Sequence, residues 1–129
     1  MNLQNLAYAI DQSIHNLGAV SVTGGAILAL LSGAARRKLA WVVLSGWGVQ
    51  GMTGALFGIL SYAFYGHLPD IAGIAVDALV IKVICAVSGF LLAAFYLRQA
   101  RTESMNFWRV EVLLAMVALT AASFLRWFS

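Results

Sequence analysis

Residues Ile71–Leu97 read IAGIAVDALVIKVICAVSGFLLAAFYL. A helix needs about 20 apolar residues to cross a hydrocarbon core, and in this longer run the only charged side chains are Asp77 and Lys82. Three further segments meet the same requirement, roughly Tyr8–Ala34, Leu39–Tyr65 and Asn106–Phe128. Between them lie a charged hinge (Arg36, Arg37, Lys38), a Gly66–Asp70 break with the only proline, and a polar stretch from Arg98 to Ser104, where Ser104 is placed to cap the fourth helix. The expected architecture is all-α, a polytopic integral membrane protein. Residues 1–129 form a single domain, a bundle of four transmembrane helices whose short loops make consecutive helices antiparallel neighbours.

Composition agrees with that reading. Of 129 residues, 62% are hydrophobic and 10% charged, against ~45–50% and ~25% in soluble domains. A chain this short has too little interior to hide so much apolar surface from water. Soluble, disordered and nucleic-acid-binding classes are therefore excluded, and the first partner is the lipid bilayer. A single cysteine excludes an intrachain disulfide framework and a multi-cysteine metal cluster. Met1–Asn5 carries no cation, so the first helix reads as retained rather than as a removable signal.

Charge sets an expected direction. Arg36, Arg37, Lys38, Arg98, Arg101 and Arg109 fall at one end of the four spans and only Arg126 at the other. Cations near span ends favour the cytoplasm, which places both termini outside, periplasmic if the membrane is a bacterial inner membrane. Trp41, Tyr96 and Trp108 are expected at the inner interface, and Tyr8, Tyr62, Tyr65 and Trp127 at the outer one.

Small residues recur every four positions: Ser21, Gly25, Ala29 and Gly33 in the first span, and Gly46, Gln50, Gly54 and Gly58 in the second. In lipid, helices associate by close backbone approach, so these stripes read as packing seams, with Gln50 as an interhelical hydrogen-bonding residue. The alternative is space for a flat cofactor or a partner subunit.

Ionisable groups inside a span are costly and mark candidate functional positions. With the cytoplasmic and terminal charges set aside, Asp11, His15, Asp77 and Lys82 remain in or near the spans, and His67 and Asp70 sit in the loop between the second and third. The topology gathers most of them toward the outer half. Asp11 and His15, four apart, share a helix face. A carboxylate there can fix the imidazole tautomer and leave the other nitrogen for a metal. His67 is a candidate second ligand, and Asp11, Asp70, Asp77 and Lys82 are candidates for supporting contacts or a proton relay. Asp77 and Lys82, five apart, point about 140° away from each other and do not pair along one helix. Lys82 is expected to reach a neighbouring helix, Gln50 or a partner. No phosphate-binding loop, nucleophile elbow or zinc-protease helix is present, and no catalytic residues are assigned.

The segment His15-Asn16-Leu17-Gly18-Ala19-Val20-Ser21-Val22-Thr23-Gly24-Gly25 resembles the opening helix of the copper-resistance protein D-like (CopD) membrane family, with His15 at the family's histidine and Gly24 and Gly25 at its glycine pair. The resemblance implies a periplasm-facing bundle handling copper or haem b, with His15 as ligand. The expectation is a transition-metal or haem-binding membrane protein. Two alternatives stand beside it: a structural subunit meeting other membrane subunits or its own copies, and a small proton-coupled transporter.

Overall fold

A computed structural model describes residues 2–99 and 105–129. They form four helices, α1 (Leu3–Ser32), α2 (Arg36–Tyr65), α3 (Ile74–Arg98) and α4 (Met105–Phe128), each long and apolar enough to cross a membrane. The protein is an antiparallel four-helix membrane bundle. Ser104, the expected cap of α4, and Arg101 lie outside the described residues.

The helix ends follow local chemistry. The Asn2 side chain accepts from the Gln4 backbone N–H at 3.0 Å and starts α1. Gly33 ends it in the left-handed conformation (φ 68°), returning its N–H to Ala29 O, as such caps do. Gly73, with φ 61° and ψ −126° at the start of α3, occupies backbone space that is open essentially to glycine alone.

The expected charged hinge is instead the first turn of α2, which begins at Arg36. Cations there oppose the helix dipole, and the two arginines turn to better partners. Arg36 Nε donates to Ala29 O at 3.0 Å, at the end of α1. Arg37 donates to Leu97 O at 2.8 Å and Gln99 O at 3.3 Å, at the end of α3. Both guanidinium groups thus cap neighbouring helix C-termini, where cations are favoured.

The helices are arranged as a square. Each packs against two neighbours, α1 against α2 and α4, and α3 against α2 and α4. Among the described residues the diagonal pairs α1–α3 and α2–α4 have no close backbone approach. The basic end carries Arg36, Arg37, Lys38 and Arg98, and the terminal end carries both termini and the α2–α3 loop.

The interior is built from small side chains, Ala26, Ala29, Ala40, Ala75, Ala93 and Ala115 among them, while Leu31, Met52, Ile59, Leu91 and Phe95 face outward. That distribution suits lipid, where van der Waals closeness drives association and large apolar groups gain nothing by hiding. Two aromatic expectations are overturned: Tyr96 and Trp108 belong to the core rather than an interfacial belt. Tyr96 stacks on Phe107 at 4.2 Å between centroids, and Trp108 packs edge-on to both.

The α1–α2 seam is made by Gly18, Gly25 and Gly46. A Cβ on Gly46 would fall 2.7 Å from Val22 Cγ2 and 3.0 Å from Gly18 O; on Gly25 it would meet Val43 Cγ2 at 3.1 Å. The expected seam does not extend along α2. Gly54 has open space and Gly58 meets only Leu68 at 3.9 Å, because both rotate away from α1 where the α2 core line runs through Gln50 and Thr53. Gly89 of α3, outside either stripe, is the tightest position: a Cβ there would land on the Trp47 indole.

Candidate functional site

The bundle centre holds polar side chains on two levels, and on each a hydrogen bond crosses a diagonal that the backbones leave open. Trp47, Gln50 and Thr53, three residues apart on α2, are all buried, and the line they form winds about 120° around that helix between the two levels.

On the terminal side, His15 of α1 is half-buried between Thr53 of α2 and Lys82 of α3. His15 Nδ1 lies 2.6 Å from Thr53 Oγ1, and Lys82 Nζ lies 3.0 Å from His15 Nε2. Thr53 Oγ1 also lies 2.6 Å from Val49 O. A hydroxyl has one proton to give. If Thr53 donates to Val49 O, it accepts from Nδ1–H, and Nε2 then accepts from the Lys82 ammonium. That tautomer makes all three bonds together. Gln50 Nε2 donates to His15 O at 2.5 Å, tying the α1 backbone to the same cluster.

Asp11 is one turn from His15 and 4% exposed, yet the imidazole N–H meets Thr53 and not this carboxylate. The Asp11 Oδ1 has no hydrogen-bond partner. Lys82 reaches across the bundle to His15 and not to Gln50.

The remaining candidates do not join this cluster. Asp77 is exposed in the first turn of α3, where a carboxylate complements the helix dipole. It edges an apolar groove of about 420 Å³ between α3 and α4, lined also by Ile81, Met116 and Phe124. His67 and Asp70 are exposed in the α2–α3 loop. His67 Nδ1 donates to Leu68 O at 2.8 Å, and its carbonyl accepts from Ser61 Oγ at 3.1 Å.

On the basic side stands a residue that the sequence reading passes over. Glu111 lies on α4, six residues from its first, and its carboxyl is 0% exposed. Its Oε2 accepts from Trp47 Nε1 at 2.7 Å, across the α2–α4 diagonal. Its Oε1 has no partner, and neither does the buried N–H of Trp108 one turn away. The missed signal is its place inside the fourth apolar span: Arg109 nearby makes the whole turn look like loop charge.

A copper or haem site asks for free ligand atoms. Both imidazole nitrogens of His15 are engaged, one by an ammonium that repels a cation. His67 sits on an exposed loop, and among the described residues no three His, Cys, Asp or Glu side chains gather as a metal site. Cys85 is buried in the apolar core, and Met52 and Met116 are on the outer surface. The residues do not fit a bound metal or haem. No family model, curated protein or solved structure matches the chain.

Proposed function

We propose that this bundle handles protons inside the membrane, as a small proton-coupled transporter whose working pair is Lys82 and His15. The observation that carries this reading is the 3.0 Å contact between Lys82 Nζ and His15 Nε2 across the α1–α3 diagonal. Two basic nitrogens face each other over one proton, both partly buried inside the bundle. A single intramembrane cation costs about 2.5–3.5 kcal/mol on insertion scales, and a pair that can pass its proton between two nitrogens is a reason to bear that cost. The flanking Thr53 orients the ring, so proton gain at Nε2 does not demand a ring flip. Copper or haem handling, implied by the resemblance of α1, would require the imidazole to release Lys82 first.

The charge asymmetry supports an orientation with the basic end in the cytoplasm and both termini outside. Single cysteines at Lys38 and Ser129, in a background lacking Cys85, test it: a membrane-impermeant maleimide applied to intact cells should label position 129 and spare position 38.

The function is tested in vesicles containing the purified chain and a trapped pH dye. An imposed proton gradient should collapse faster with wild type than with Lys82→Met or His15→Leu, both checked for native helicity. Equal rates for all three would end the proton reading. Recovery from native membranes in a fixed complex, together with no flux, would favour the alternative of a structural subunit. A Soret band or stoichiometric copper in the purified protein would restore the metal reading.

A further inference from the structure

We infer that Glu111 is a second proton-binding station, of opposite charge type to the Lys82–His15 pair, with a water molecule held at its Oε1 and Trp108 Nε1, and that the two stations exchange a proton along the bundle axis. The inference rests on the proton-handling reading above. Three observations carry it. Glu111 is wholly buried, and only one of its oxygens is bonded, to Trp47 Nε1. The other oxygen wants a donor while the buried Trp108 N–H, one turn away, wants an acceptor, and a water molecule is the small group that serves both. The third is register: Thr53, which holds His15, and Trp47, which holds Glu111, are six residues apart on α2, about 9 Å along the axis, with Gln50 between them.

In the exchange an N–H bond of the Lys82–His15 pair breaks and its electron pair stays on nitrogen. The proton moves by way of water, and an O–H bond forms on Glu111. Ammonium and carboxylate become amine and carboxylic acid. The net charge of the core is the same before and after, so neither state leaves a lone uncompensated charge in the bundle.

Among the described residues, the other titratable groups buried within the bundle are Asp11 on α1 and Cys85 and Tyr96 on α3. On α2, Arg36 and Arg37 are bonded to carbonyls at the basic end. Arg109 and Arg126, on the same helix as Glu111, are exposed. Asp11 is the rival carboxyl, one turn from His15 on the terminal side.

Infrared difference spectra across a pH step, taken on the full chain in lipid vesicles, read the carboxylic C=O stretch directly. A band lost in Glu111→Gln and kept in Asp11→Asn is expected. In Lys82→Met the band should persist to a pH about one unit higher, the effect of removing a charge roughly 10 Å away at an effective dielectric near 20. The titration of the Lys82–His15 pair, reported by the His15 ring nitrogens, should shift by a similar amount in Glu111→Gln, because coupling between the two stations is reciprocal. A band that follows Asp11, or one unmoved by Lys82→Met in a protein of native helicity, would overturn the assignment. If Glu111→Gln does not fold, the wild-type and Lys82→Met comparison still decides. A displaced band without proton flux would remove the transport reading and leave the coupling in place.

Discussion

Lys82 and His15 are unequal members of their pair, and mutation should show it. Lys82→Met leaves a neutral ring that loses one bond, and an apolar side chain of similar reach replaces the ammonium; such swaps are often neutral. His15→Ala leaves the partly buried ammonium without its acceptor, a hydrogen bond to a charged group that is worth about 1.5–3 kcal/mol. Unfolding in mixed micelles should rank His15→Ala far below Lys82→Met, with the double variant recovering most of the loss. Equal losses would mean that the lysine head finds water without the histidine. Thr53→Val should cost less, about 0.6–1.7 kcal/mol, the range measured for hydrogen bonds between membrane helices. The presence of His15 and Lys82 is legible in the sequence, since each interrupts an apolar run, but their partnership is not. They are 67 residues apart and on helices whose backbones do not touch.

At the scale of helices, glycine spacing alone does not tell a seam from an open face. Gly46 and Gly54 belong to the same four-residue repeat, yet one sits against Val22 and the Gly18 carbonyl and the other has open space. Gly46→Ala should therefore push α1 and α2 apart and destabilise by about 1–3 kcal/mol. Gly54→Ala should be neutral or stabilising by up to about 1 kcal/mol, from helix propensity. The same unfolding assay separates them, and a loss at Gly54 matching that at Gly46 would show that its face is covered by something else. The arginines of α2 make a second prediction at this scale. Arg37→Leu frees the Leu97 and Gln99 carbonyls, so hydrogen exchange should quicken at the last turn of α3 while α2 stays protected. These residues were legible as charges that set orientation. Their capping role needed the ends of α1 and α3 brought beside the start of α2.

For the whole molecule, the four tryptophans divide the surface from the interior. Trp41 and Trp127 are 56% and 80% exposed, while Trp47 and Trp108 are buried at 3% and 0%. Brominated lipid should quench the first two and spare the second two, and the Trp41→Phe, Trp127→Phe double variant should emit almost without quenching. Strong quenching of that variant would mean that lipid reaches the bundle centre.

Sequence by itself determined the membrane class, the four spans, their antiparallel order and the sign of each end. Those properties follow from run length, loop length and local charge, which need no knowledge of distant contacts. Tertiary structure alone decided which polar groups meet. It drew Thr53 rather than Asp11 to the imidazole, brought Lys82 across one diagonal and Glu111 across the other, and moved Tyr96 and Trp108 from an expected interface into the core. The physical reason is rotation about the helix axis. The small-residue stripes mark where α1 and α2 approach, but which polar groups then meet depends on the angle each helix takes when those faces pack.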